Sequence, residues 1–215
     1  MIPRASASRP DPVMKLVGGY DSPFVRRVAV TMNLYGMPFD HAPLETVADT
    51  PAVEAVNPLG RIPALVLDNG EALVDSSAII DFLDERAGEA KSLTPRSGEK
   101  RRRIIAVVAI ALGTADKYVA AFYETKKRPE SHVWRPWLDR LEQQVRQGLD
   151  ALEARLVGPY MMGSEMTQAD VTTAVVIDTI RFDMAHLAPV GVRPKLDDLV
   201  RRAMALKAFA ATAPG

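Results

Sequence analysis

Apolar residues recur with two different spacings along this chain, and the change falls near Gly88. Before it, short apolar runs alternate with stretches of helical period. Met14 to Tyr20 predicts a first strand. Ser22 followed by Pro23 is a strong helix start, and Val25, Val28, Ala29 and Met32 recur at three to four residues behind it. Gly36 and Pro38 stop that helix. Phe39 to Leu44 predicts a second strand and Pro51 to Val56 a short helical piece. Ile62 to Leu67 and Glu71 to Val74 flank Asp68-Asn69-Gly70, and Asn-Gly between apolar runs signals a hairpin. Ser76 or Ser77 is then the expected N-cap of a helix whose apolar face is Ile79, Ile80 and Leu83.

Beyond Gly88 only the helical period remains. Gly88 to Gly98 is polar and carries Pro and Gly, so a domain boundary is expected there. The next helix, Glu99 to Tyr123, is expected to bury Ile104, Ile105, Val108, Ala109, Leu112 and Ala115. Val133 to Leu156 carries Trp134, Leu138, Leu141, Val145, Leu149, Leu152 and Leu156 at steps of 4, 3, 4, 4, 3 and 4, an amphipathic helix ended by Gly158-Pro159. Thr167-Gln168-Ala169-Asp170 reads as a capping box with Asp in place of Glu, and Met166 and Val171 occupy the staple positions. Val171 to Ala185 is strongly apolar, as a helix covered on most sides should be. Arg193-Pro194-Lys195-Leu196 introduces a last helix to about Ala208.

Composition narrows the picture. The chain has 215 residues, 47% hydrophobic and 25% charged, enough for a sizeable core in one or two domains. Lys and Arg balance Asp and Glu at 27 each, so charge makes no case for binding nucleic acid or an anionic membrane. Lys100 to Arg103 is then expected to be a solvated helix face. No unbroken apolar run approaches the ~20 residues of a membrane-spanning helix. Met1 to Val13 is rich in Pro, Ser, Ala and Arg and lacks the apolar centre of a secretory signal. It is expected to be a disordered leader with Met14 as the natural start, and a cytoplasmic location follows. There is no cysteine, so no thiol of the chain can exchange disulfides, act as nucleophile or ligate metal. The three histidines, His41, His132 and His186, are too scattered to suggest a metal site.

Three short stretches carry chemistry. They are Ser22-Pro23-Phe24-Val25-Arg26-Arg27-Val28, Asn57-Pro58-Leu59-Gly60-Arg61-Ile62-Pro63 and Asp75-Ser76. In this order, with the Thr167–Asp170 box behind them, they resemble the cytosolic glutathione S-transferases, in particular bacterial serine-type members. The resemblance covers nearly the whole chain from Met14.

It implies an α/β thioredoxin-like N-terminal domain over residues 14–88, a linker over 89–98 and an all-α C-terminal domain over 99–215. It implies a cis-proline at Pro63, Ser22 facing the glutathione sulfur, and glutathione contacts from Phe24, Ile62, Pro63, Asp75 and Ser76. Glutathione would be a co-substrate, with no metal; the second substrate would be a small hydrophobic electrophile. A homodimer with a detoxification role is the family expectation. Isomerisation or dehalogenation with the same cofactor is the alternative reaction. A non-catalytic adaptor that binds a protein such as RNA polymerase is the alternative class.

The physical requirement is clear: a free thiol near pKa ~8.5 is mostly protonated at neutral pH. Lowering that value by about two units takes roughly 2.7 kcal/mol. One hydroxyl hydrogen bond to the thiolate, at about 1.5–3 kcal/mol, beside a helix N-terminus supplies it. Ser22 also serves as a plain N-cap, and Tyr20 is a rival activator. Arg26 and Arg27 are expected to be structural or solvated, while Arg61 borders the cleft. Asp170 is expected to be structural. Tyr118, Phe122 and Tyr123 are expected either to line the electrophile pocket or to pack in the core.

Overall fold

The structure, a computed structural model, describes residues 13–215, so the expected leader lies outside the described residues except for Val13. Strand β1 (Met14–Val17) leads through a tight loop to helix α1 (Pro23–Tyr35), and β2 (Phe39–Ala42) and α2 (Thr50–Glu54) follow. Strands β3 (Ala64–Val66) and β4 (Ala72–Val74) then precede α3 (Ser76–Ala87). The strands form one sheet in the order β2-β1-β3-β4. β1 runs parallel to β2, with Leu16 opposite His41, and antiparallel to β3, with Leu16 opposite Leu65. This is the expected β-α-β-α-β-β-α succession, with each strand shorter than its apolar run.

Local chemistry accounts for these elements. Pro23 occupies the first turn of α1 behind Ser22. Gly36, at φ 66°, ends it, and Met37 N–H donates to Met32 O at 3.0 Å. Between β3 and β4, Gly70 N–H donates to Leu67 O, and Asn69 Oδ1 accepts from Glu71 N–H. α3 corrects the expected cap: Asp75, not a serine, is the N-cap, its carboxylate accepting from Ser77 N–H at 2.7 Å.

The second half is helical. It contains α4 (Gly98–Lys126), α5 (Arg135–Arg155), α6 (Gln168–Met184), α7 (Pro194–Met204) and α8 (Lys207–Ala210). The expected single last helix is thus two, broken at Ala205-Leu206. In α5 the leucine ladder from Leu138 to Leu152 is buried, but Trp134 precedes the helix and is 65% exposed. α4 buries only part of the face its periodicity implies. Ile104, Val107, Ala111, Ala115 and Tyr118 are buried, whereas Ile105 and Ala109 face outward. By length and composition α4 also meets the requirement for a bilayer-crossing helix, although charged and polar residues interrupt its apolar run. Here it packs against α5 and α6.

α6 is buried along most of its length. Its start goes beyond a capping box. Asp170 Oδ2 accepts from Thr167 N–H and from the Thr167 hydroxyl, both at 2.8 Å, and Oδ1 accepts from Met161 N–H at 2.6 Å. Asp170 therefore also anchors the loop before α6.

Two apolar cores result, one between the sheet, α1 and α3, the other among α4 to α8. α1 serves both: Val25, Val28, Ala29 and Met32 enter the first and Val30 the second. Polar contacts reinforce the seam between α1 and α6. Arg26 pairs with Asp178 at 2.6 Å, Arg27 Nε donates to Thr172 Oγ1 at 3.1 Å, and the Thr31 hydroxyl donates to Gln168 Oε1 at 3.1 Å.

Candidate functional site

The three candidate stretches converge where the sheet meets α1 and α4. β1 is followed by Gly18, where any Cβ would lie 2.6 Å from Val25 and 2.8 Å from Ile62. Only glycine allows the strand end, α1 and the Ile62 loop to approach this closely. Asn57 shapes that loop from within: it is buried, its amide donates to Arg61 O at 2.7 Å and its carbonyl accepts from Leu59 N–H at 3.0 Å. The loop ends in the Ile62–Pro63 peptide, which is cis as expected.

Ser22 is half-buried at the N-terminus of α1. Its oxygen accepts from Val25 N–H at 3.5 Å, a long contact for a cap, and because it acts there as acceptor the hydroxyl proton remains free to be donated. It lines a cavity of about 520 Å³ with Phe24, Ile62, Tyr118, Phe122 and Tyr123. Tyr118 and Phe122 are therefore both cavity wall and helical packing. The Tyr118 hydroxyl donates to Asp183, which lines the same cavity. Burial pushes both groups above their ordinary pKa values, the nearby Asp21 charge adding to it. Glu45 and Asp21 stand on the wall as acids, Arg61 and Lys127 as bases.

A second cavity, of about 260 Å³, adjoins the first, since Phe24, Arg61 and Ile62 line both. Pro63, Asp75, Ser76 and Ser77 complete its wall, together with Asp116 from α4. Asp75 holds φ at 70°, a left-handed conformation that costs a non-glycine residue about 1–3 kcal/mol. Its carboxylate bond to Ser77 N–H is the local compensation. The backbone strain falls at the rim of a cavity.

All six candidate residues, Ser22, Phe24, Ile62, Pro63, Asp75 and Ser76, thus line the paired cavities. Tyr20 does not. Its ring stacks on His41 with centroids 3.9 Å apart, and burial raises its phenol pKa. Two residues escaped the sequence reading. Asp116 enters the smaller cavity from a helix that carries no motif. Arg27, expected to be structural or solvated, is 1% exposed and donates to Ser76 Oγ at 3.0 Å. Its only signal was its place in the Ser22 to Val28 stretch.

The family model for the glutathione S-transferase N-terminal domain matches residues 16–91, and that for the C-terminal domain matches residues 135–202. The uncharacterized GST-like protein YibF of Escherichia coli (strain K12) is 30% identical over 94% of this chain and 98% of its own. This chain belongs to the glutathione S-transferase family. A maleylacetoacetate isomerase of Pseudomonas aeruginosa is 36% identical over 74% of this chain and 77% of its own. Among solved structures, a glutathione transferase family member from Pseudomonas fluorescens Pf-5 with bound glutathione superposes with a TM-score of 0.85, at 31% identity, over 94% of this chain and 99% of that one. A glutathione S-transferase from Methylobacillus flagellatus KT with glutathione bound gives 0.87 at 28% identity, over 94% and 100%. A thioredoxin-like half followed by an all-α half is the architecture of this family member.

Proposed function

We propose that the protein binds glutathione across the two cavities and conjugates its thiolate, held by Ser22, to a small apolar electrophile. The observation that carries this reading is the uncommitted Ser22 hydroxyl at the N-terminus of α1, beside the residues common to both cavities. A thiolate there would accept that hydroxyl proton and face the positive end of α1.

The smaller cavity suits the γ-glutamyl end of glutathione, which carries an amine and a carboxylate on one carbon. Asp75 and Asp116 are acids for the amine, while Ser76 and the open end of α3 suit the carboxylate. Ile62 and Pro63 suit the cysteinyl backbone, in the manner of an added strand. The electrophile would then lie against Tyr118 and Phe122. Two structural neighbours hold glutathione, which supports the same reading.

Isomerisation is the second reading. Relatives named as maleylacetoacetate isomerases favour it, and so do Arg61 and Lys127 in the larger cavity, two cations suited to an acidic substrate. Isomerisation would return glutathione unchanged, whereas conjugation consumes it. Incubation with glutathione and an aryl halide, following adduct absorbance and free thiol together, tests the transferase reading. Matched loss of thiol and gain of adduct, abolished by boiling, is expected. No enzyme-dependent thiol loss across a panel of neutral electrophiles would move the reading to isomerisation.

A cytosolic homodimer belongs to the same proposal. The outward-facing Ile105 and Ala109 on α4 offer an apolar contact surface, and sedimentation at micromolar concentration tests it.

A further inference from the structure

Arg27 and Arg26 are adjacent and equally buried, at 1% exposure, yet they are partnered differently. Arg26 has a carboxylate, Asp178. Arg27 has two hydroxyls: Nε donates to Thr172 Oγ1 at 3.1 Å and Nη1 to Ser76 Oγ at 3.0 Å. Among the described residues it forms no ion pair. A buried guanidinium without a carboxylate is costly. Burial pulls its pKa down to about 10, and the more distant Asp75 and Asp84 only oppose this.

Ser76 shows where the missing anion belongs. It is 3% exposed, and its oxygen already accepts from Arg27. A serine hydroxyl has a single proton. That proton has no acceptor among the described residues, and Ser76 lines the smaller cavity. Accepting from Arg27 leaves the Ser76 proton free to be donated to a ligand in the cavity that the residue lines. The Ser76 N–H opens the N-terminus of α3 at the same place.

We propose that Arg27 is a positioning residue for a ligand carboxylate: it acts through Ser76 and supplies the buried positive charge that this carboxylate neutralises. The inference rests on the glutathione reading above and names the group of glutathione concerned, the α-carboxylate of its γ-glutamyl end. Thr172, on α6, fixes the guanidinium from the other side. The carboxylate subsite is therefore set by the helical half of the molecule as much as by the thioredoxin-like half.

The test compares glutathione with γ-aminobutyryl-cysteinyl-glycine, which lacks only that carboxylate. Both are titrated calorimetrically into the wild type, Arg27→Met and Thr172→Val. The wild type should bind glutathione about tenfold to a hundredfold more tightly than the analogue, the usual worth of hydrogen bonds to a charged group. In Arg27→Met that ratio should collapse to within about threefold of unity, while affinity for the analogue stays nearly constant. A purely structural role would weaken both ligands alike and leave the ratio intact, which overturns the inference.

Should Arg27→Met fail to fold, Thr172→Val decides. A ratio lowered at least about threefold sustains the inference, and an unchanged ratio overturns it. A wild type that binds both ligands equally overturns the carboxylate placement while leaving the Ser22 chemistry standing. A wild type that binds no glutathione overturns the proposed function itself.

Discussion

Ser22→Ala separates the two roles open to this side chain. As a cap, Ser22 is weak: its contact with Val25 N–H is 3.5 Å, at the limit of a hydrogen bond. Its removal should cost about 0.5 kcal/mol of stability, the low end for an N-cap. As a thiolate donor it contributes far more. A hydrogen bond to a charged acceptor is worth about 1.5–3 kcal/mol, and each pKa unit corresponds to about 1.4 kcal/mol. The thiol of bound glutathione should therefore ionise about one to two units higher in Ser22→Ala than in the wild type. Loss of the donor destabilises the charged form, so the shift is upward. The helix terminus remains, so part of the lowering below the free value of ~8.5 should survive. The assay is thiolate ultraviolet absorbance against pH on both proteins at saturating glutathione. Conjugation should fall roughly tenfold to a hundredfold near pH 6.5 and recover as pH passes the mutant's higher pKa. Titration curves that coincide within about 0.3 unit would refute the reasoning, and the thiolate would then owe its stability to the helix end alone.

Other expectations concern the frame that holds the site. Asp170→Ala removes three hydrogen bonds and leaves buried N–H groups without partners, so it should cost about 2–4 kcal/mol in urea unfolding, more than a simple cap. A cost below ~0.5 kcal/mol would contradict the anchoring role. A Cβ on Gly148 would lie 2.0 Å from Thr114 Oγ1, where α5 crosses α4. Gly148→Ala should therefore destabilise by about 1–3 kcal/mol, and adding Thr114→Ala should recover most of the loss. Additive losses in the double variant would count against that close approach. Burial raises the Asp84 carboxyl above its ordinary value, so the folded protein holds a proton that the unfolded chain has released. Its stabilising contribution is full below the ordinary Asp value of about 3.9 and is lost as pH rises through the raised one. Relative to Asp84→Asn, the wild type should lose stability with rising pH across that window, and parallel unfolding midpoints would oppose the assignment.

Elements whose causes lie within a few residues of each other were legible in the amino-acid sequence. Ser22-Pro23 and Gly36 bound α1, Asn69-Gly70 sets the hairpin, and Thr167 to Asp170 starts α6. Their order was enough to suggest the family. The same locality explains the near misses. A serine and an aspartate both cap well, and only the left-handed backbone at Asp75 decides between them. α4 is apolar on more than one side, so its period suggested one broad face that buries both Ile104 and Ile105. Its packing against α5 and α6 selects Ile104, Val107 and Ala111. In sequence Arg26 and Arg27 are open to a structural or a solvated role, until Asp178 and Thr172, 152 and 145 residues away, meet them across the seam. Asp116 enters a cavity whose other wall is built more than thirty residues earlier, from Asn57 to Ser77. Caps, turns and periods are enthalpic and steric choices of a short segment and can be read from it. Which charges are buried, and what they face, is decided only when distant segments exclude water together, so the electrostatics of the site belong to the tertiary structure.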